Sequence, residues 1–190
     1  MLRGRTDHPL ADVGWQQMTQ ASSQASQPDD SDMTSPQWTE IISSPLQRCR
    51  RFAEHLAESS NIPLTIEQAW QEIDYGDWEG MLLSEWRKSA SYQFREFRKD
   101  ITALVPPNGE DFVSFSDRIR SAWQTILEKP NGSHILLVTH GGVMRVVIPT
   151  VLGLPLNKTG VLEIPFVCIS RIKIGHNGKQ THCSLVSHNS

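Results

Sequence analysis

An uninterrupted aliphatic run in the last third of the chain constrains the fold more than any other feature. Residues 134–138 read His-Ile-Leu-Leu-Val, and Thr-His-Gly-Gly and the helix-like residues 143–152 follow at once. A strand with apolar side chains on both faces is typical of a parallel sheet that helices cover on both sides. The run therefore predicts a strand, a turn and a helix within an α/β fold.

The rest of the chain alternates between strand and helix patterns in the same way. Residues 38–42 and 62–66 are short strand candidates, and residues 162–174 and 182–186 predict a terminal strand pair. Apolar positions three or four residues apart predict four more helices, at 13–21, 46–57, 82–97 and 112–127. We expect a three-layer α/β/α sandwich with a mostly parallel central sheet.

Length and composition fit one globular domain. The 190 residues are long enough for one core, and the polar stretch at 22–36 is interpreted as a loop within that domain. The net charge of −3 and the lack of a long apolar stretch argue against a nucleic-acid partner and a membrane span. The widely spaced Cys49, Cys168 and Cys183 predict reduced thiols in a cytoplasmic protein. They show no metal-ligand spacing, so we expect no metal.

Polar residues follow two of the predicted strands, where ligands bind in open α/β sheets. Residues 43–48 read SSPLQR, so Arg48 lies in the first turns of a helix that begins with serines. Free backbone N–H groups there would form an anion cradle with the guanidinium. His140 follows the most buried strand, and Gly141 lets the backbone approach a ligand closely. Taken together, these residues predict a phosphate site.

Four ordered motifs resemble the histidine phosphatase superfamily, which includes cofactor-dependent phosphoglycerate mutases and the α-ribazole phosphatases of cobalamin synthesis. The motifs are residues 43–53, 72–80 (EIDYGDWEG), 106–110 (PPNGE) and 138–143 (VTHGGV). The resemblance extends from residue 4 to about residue 174, nearly the whole chain. It implies a phosphoglycerate mutase-like fold and a phosphatase, without a cofactor, acting on a small phosphorylated metabolite through a phosphohistidine intermediate.

The resemblance also implies roles for individual residues. Arg48 matches the arginine that holds the phosphate, and His140 matches the second histidine, which stabilises the transferring phosphoryl group. Glu72 matches the acid that protonates the leaving oxygen. Gly4 and Arg5 match the loop that closes over the rest of the substrate. These roles suit phosphoryl transfer, which depends on positioning, on neutralisation of phosphate charge and on a nearby acid.

The sequence departs from the family pattern in its nucleophile. The family uses the histidine of an Arg-His-Gly tripeptide at the end of the first, central strand, and no Arg-His-Gly occurs among these 190 residues. Of the seven histidines only His140 fits a family position. We therefore expect a chain that begins inside the domain and lacks both the nucleophile and the first central strand. An exposed strand edge would then favour edge-paired homodimers.

Three hypotheses about function remain open. In the first, the intact gene product is a phosphomonoesterase and this chain is a truncated form of it. In the second it is a mutase, although the insertions that a mutase needs are absent between residues 80 and 106. In the third it is a non-catalytic phosphate-binding protein of the same fold.

Two local assignments also remain open. Asp74 is a lesser candidate for the acid, and its alternative is an ordinary loop carboxylate. The aromatic side chains could form an apolar wall for an aromatic leaving group, or they could belong to the core; they are Trp70, Trp78, Trp86 and Tyr92.

Overall fold

Three parallel strands form the central sheet in a computed structural model that describes residues 1–25, 38–178 and 180–189. The central strand, β1 (Glu40–Ser43), pairs with β2 (Leu64–Ile66) on one side and with β3 (Ile135–Val138) on the other. Because Ser43 is in register with Val138, the carboxyl ends of β1 and β3 open at the same edge. This confirms the predicted mostly parallel sheet.

The strand β3 is less buried than its apolar sequence predicts. Only Val138 is buried, and the other three residues of β3 are half-buried. Over the part of the chain that the structure describes, β3 pairs on one side alone. As an edge strand, β3 has one flank without a hydrogen-bonded neighbour among these residues.

A second sheet packs on the same core cluster as β3. It consists of β4 (Ser170–Asn177) and β5 (Gln180–His188), which pair antiparallel. A terminal strand pair is present as predicted, but its first strand begins at Ser170, and residues 162–169 of the predicted strand are not extended in a sheet. Ile172 and Ile174 of β4 pack on the same core cluster as Ile135 and Leu137 of β3. The two sheets therefore share a core without a hydrogen-bonded strand between them.

Helices cover both faces of the central sheet. On one face lie α1 (Asp12–Ala25) and α2 (Gln47–Ser60), and Phe52 of α2 packs with Ile41 and Val138 of the sheet. On the other lie α5 (Phe112–Leu127) and α6 (Gly141–Leu152), whose buried residues pack with Ile42. These contacts complete the three layers.

Two helix predictions need correction. The helix α1 extends to Ala25, so the predicted loop at 22–36 begins with helical residues. The hydroxyls of Ser22 and Ser23 bond to the carbonyl of Thr19 within the helix, both at 2.9 Å, so these serines are accommodated in its last turn. Residues 26–37 of the predicted loop lie outside the described residues.

The single helix predicted for residues 82–97 is two helices, α3 (Leu83–Ser89) and α4 (Ser91–Lys99), separated at Ala90. Trp86 lies at this break, with its ring centroid 5.1 Å from Phe94 and 5.2 Å from Phe97. The break at Ala90 lets Phe94 and Phe97 both pack on Trp86. In one straight helix these residues would lie two or more turns from Trp86 along the axis.

Aromatic packing also decides between the two interpretations of the tryptophans. Trp70, Trp78 and Trp86 are 0%, 6% and 1% exposed and belong to the core. Tyr92 is 63% exposed. These four side chains therefore do not form a substrate wall.

Candidate active site

The carboxyl edge of the central sheet brings Arg48 and His140 into contact. The Arg48 Nε donates to Nδ1 of His140 over 3.3 Å, and Nε2 of His140 lies 2.7 Å from the hydroxyl oxygen of Ser44. A guanidinium can only donate hydrogen bonds, so Nδ1 accepts and the imidazole proton is on Nε2. The contact with Arg48 therefore fixes the tautomer and directs the Nε2–H of His140 to Ser44.

Burial determines the charge of this pair. Desolvation, assisted by the positive charge of Arg48, lowers the pKa of His140 to about 3, so its imidazole is neutral at pH 7. Burial also lowers the pKa of Arg48, but a guanidinium still keeps its proton near neutrality. The site thus combines one fixed positive charge with one neutral N–H donor.

The remaining donors of Arg48 point at the loop that begins the chain. Its Nη1 donates to the carbonyl of Thr6 over 3.0 Å, and its Nη2 donates to that of Gly4 over 2.6 Å. The loop with Gly4 and Arg5 therefore lies at the site, where the resemblance implies it.

The carboxylate of Glu79 holds this loop in place. It accepts from the backbone N–H groups of Gly4, Arg5 and Tyr75 and from the hydroxyl of Thr6, the shortest distance being 2.6 Å to that hydroxyl. Burial pushes the pKa of Glu79 up, but these hydrogen bonds outweigh burial and hold the pKa below its usual value. Glu79 is therefore an ionised clamp.

Glu72 lies buried at the N-terminus of α6. Its carboxylate accepts from the backbone N–H of Gly142 and from that of Ile73, both over 3.0 Å. A Cβ at position 142 would overlap Glu72 Oε1, so a larger residue there would displace the carboxylate. Burial raises the pKa of Glu72 against the opposing effects of these hydrogen bonds and of Arg48. A raised pKa is what a proton donor near neutral pH requires.

Arg118 fixes the segment that leads to Glu72. Its guanidinium donates to the carbonyls of Ala69 and Gln71, over 2.7 and 3.1 Å, and to the carboxylate of Glu110. Arg5 pairs with the same Glu110 carboxylate over 3.3 Å. The closing loop and the Glu72 segment are thus linked through one carboxylate.

Asp74 occupies a more exposed position than Glu72. Its Oδ1 accepts from the N–H of Gly76 over 2.8 Å, and its Oδ2 lies 3.7 Å from Arg5. Gly76 itself has a φ of +49° and packs closely against Pro107, which joins the second and third motifs. Asp74 thus has contacts that a loop carboxylate would make.

The N–H groups at the start of α2, which the sequence predicts to be free, are partly occupied by a side chain of the same chain, and so are those at the start of α6. The Asp7 carboxylate accepts from the N–H of Gln47, the first residue of α2, over 2.7 Å, and Glu72 accepts from α6 in the same way. The positive end of a helix attracts the nearest anion, which in both cases is a side chain of this chain. Gly141 begins α6, and a Cβ at this position would lie in ordinary van der Waals contact with Ile164, 3.9 Å away.

Three contacts of the site were not found from the sequence, although the residues lie inside the recognised motifs. Ser44 bonds to His140, and Glu79 clamps the N-terminal loop. Cys49 donates to the carbonyl of Thr139 over 3.3 Å, and its sulphur lies 3.6 Å from His140 Nδ1. Burial raises the pKa of Cys49 to about 12, so it is an unreactive thiol.

The other histidines lie elsewhere in the fold. His8 is exposed in the N-terminal loop, and His55 contacts Trp15 on the outside of α2. His134 precedes β3 at the opposite sheet edge. The remaining three are on β4 and β5. Within the described ranges no cluster of ligands could hold a metal ion, and no helix is long and apolar enough to cross a membrane.

In class, the protein is an α/β/α sandwich whose buried charged groups lie at the carboxyl ends of parallel strands. The sequence profile of the histidine phosphatase superfamily (branch 1) matches residues 1–186. The "Probable phosphoglycerate mutase GpmB" of Salmonella choleraesuis is 32% identical over 171 residues, which cover 90% of this chain and 76% of that protein. The chain belongs to the histidine phosphatase superfamily.

Solved structures show the same fold. The α-ribazole phosphatase of Shigella flexneri has a TM-score of 0.81 and 23% identity, with 100% of this chain and 88% of that chain covered. The mycobacterial glucosyl-3-phosphoglycerate phosphatase has a TM-score of 0.82 and 21% identity, with 100% and 90% covered. The phosphoglycerate mutase-like fold predicted from the sequence is therefore confirmed.

Proposed function

We propose that this chain carries the phosphate-binding and acid groups of a phosphomonoester hydrolase that acts on a small phosphorylated metabolite. One observation carries the proposal: three distant segments bring Arg48, His140 and Glu72 to one edge of the sheet, and nearly all their donors and acceptors are accounted for. The charges suit phosphoryl transfer, which requires a cation, a neutral donor and an acid.

Each group has a defined task in the proposed reaction. Arg48 binds the equatorial phosphate oxygens in place of the Gly4 and Thr6 carbonyls, and His140 turns its Nε2–H from Ser44 to the phosphate. A histidine nitrogen forms a bond to phosphorus while the ester P–O bond breaks. The electron pair of the broken P–O bond goes to the leaving oxygen, which takes the proton of Glu72. Water then attacks the phosphorus atom of the phosphohistidine and gives a proton to Glu72, while the P–N bond breaks and phosphate and free histidine are released.

The nucleophile is not among the described contacts of the site. The 190 residues contain no Arg-His-Gly, and the free edge of β3 is the place where a strand that ends in this tripeptide would pair. We propose that catalysis requires such a strand. The same free edge supports edge-paired homodimers of the chain as it stands, which sedimentation equilibrium would detect as a concentration-dependent mass.

Two other functions have specific observations in their favour. The relative from Salmonella is called a probable phosphoglycerate mutase, although residues 80–106 form only two short α-helices and one 3-10 turn. The absence of Arg-His-Gly from the 190 residues favours a non-catalytic phosphate-binding protein.

The three cysteines are free thiols, which supports the proposal of a cytoplasmic location.

Vanadate titration of the chain tests the phosphate site. We expect one vanadate to bind, inorganic phosphate to compete with it, and Arg48→Ala to weaken binding about tenfold or more, because a charge-assisted contact is lost. Arg51→Ala, an exposed arginine of α2, is the matched control and should change nothing. Equal affinity in Arg48→Ala and the unaltered chain would contradict the proposal.

A further inference from the structure

A cavity of about 300 Å³ lies between α4, α5 and α6, on the face of the sheet opposite α2. Its walls are mainly apolar and aromatic, with Phe97, Phe112, Phe115 and Tyr75 among them. The volume is at the lower end of small-molecule sites. A single or fused aromatic ring is therefore the size of group that fits.

The cavity adjoins the candidate acid. Ile73 and Gly142 line it, and their backbone N–H groups are the two that donate to the Glu72 carboxylate over 3.0 Å. A leaving oxygen that takes its proton from Glu72 would place the rest of the leaving group on this side of the carboxylate. The position of the cavity thus suits a leaving group rather than the phosphate.

The charge of the lining is one-sided. Arg98, Lys99 and Arg145 line the cavity, and no carboxylate does. Lys99 is paired with Glu96 over 2.9 Å. Arg145 donates to the carbonyl of Leu162 over 2.8 Å. Among the residues that the structure describes, neither Arg98 nor Arg145 has a carboxylate partner, so both retain a positive charge that an anion would neutralise.

We propose that this cavity binds the leaving group of the substrate, and that this group is an apolar, aromatic-sized body with a second negative charge. That the bound molecule is part of a substrate rests on the proposed phosphatase function. The chemical class of the ligand rests only on the cavity. Its apolar walls favour an apolar, aromatic-sized group, and Arg98 and Arg145 favour a negative charge on that group.

Binding of 2-naphthoate to the unaltered chain tests this directly, with neutral 2-naphthylmethanol as the matched ligand. Calorimetry should show naphthoate binding about tenfold or more tightly than the alcohol. Arg98→Met should remove most of that preference, because Arg98 is exposed and makes no ion pair that the fold needs. Arg87→Met, an exposed arginine of α3 outside the cavity, should leave both affinities unchanged.

A second titration separates the cavity from the phosphate site. Naphthoate and inorganic phosphate should bind to the chain together, since neither Arg48 nor His140 lines the cavity. Naphthoate that binds with Arg98 dependence to a chain that takes up no phosphate would support the cavity and count against the phosphatase. Competition between the two anions, or equal affinity for naphthoate and the alcohol, would overturn the inference.

Discussion

The two sides of Glu72 differ in how completely the chain satisfies its own polar groups. On the side of Arg48, the guanidinium bonds to His140 and to two loop carbonyls, and Glu79 clamps that loop. On the other side, the cavity has mainly apolar walls, and Arg98 and Arg145 have no carboxylate partner within the described part of the chain. Phosphate must therefore replace existing hydrogen bonds of Arg48, whereas a leaving group would enter a cavity that is already formed.

The largest effect is expected at the boundary between the two sides. In a form of the protein with its nucleophile strand supplied, Glu72→Gln should slow alkyl phosphate hydrolysis about 10²–10⁴-fold, because these esters need a proton from the acid. Nitrophenyl phosphate should lose far less, because nitrophenolate leaves without a proton. Steady-state kcat/KM for both esters measures the difference. Equal losses on both would transfer the role to Asp74, for which Asp74→Asn is the parallel variant.

The second-largest effect concerns His140, on the Arg48 side, and the dependence of stability on pH. The pKa of His140 is lowered to about 3 by burial, so the folded state binds fewer protons than the unfolded state between that value and about 6.5. Stability should therefore be lost as pH falls through this window, by an amount on the order of a few kcal/mol. Urea unfolding should show a flatter pH profile for His140→Gln.

The exposed His55 provides the matched control for this pH experiment. His55→Gln should keep the pH dependence of the unaltered chain, since His55 lies on the outside of α2. A His140→Gln profile as steep as that of the unaltered chain would show that burial of this imidazole is not what makes the protein acid-sensitive.

The smallest effect concerns Asp7, which occupies the start of α2 on the same side. Asp7→Ala removes the acceptor for the Gln47 N–H and should cost about 0.5–2 kcal/mol of stability, as for other helix caps. Urea midpoints give the value. Asp117→Ala, on the exposed face of α5, should change stability by less than about 0.5 kcal/mol. Equal changes in both variants would argue against the cap.

Local patterns were sufficient for most of the fold. The aliphatic run of β3 and the stripes of α2 and α5 follow from side-chain periodicity, which burial enforces directly. The break at Ala90 could not be predicted in this way, because it depends on Trp86 meeting two phenylalanines and Trp78 in three dimensions.

In the site, too, local patterns predict some features, and contacts between distant residues determine the others. Strand ends and motif order indicated Arg48 and His140, motif order alone indicated Glu72, and the structure brings their segments together. The contact between Ser44 and His140 and the clamp by Glu79 join residues 96 and up to 75 positions apart, which no local spacing indicates. The occupied helix starts were missed for the same reason, since Asp7 is 40 residues from Gln47.

The claim that this chain holds a phosphatase site without its nucleophile is tested most directly by supplying that nucleophile. A strand that ends in Arg-His-Gly is fused before Met1, and phosphohistidine is trapped by rapid quench with labelled phenyl phosphate. The fused protein should form a phosphoenzyme and exceed the unaltered chain roughly 10³-fold or more in turnover. The same fusion with alanine for that histidine should not. A phosphoenzyme in the unaltered chain would contradict the account.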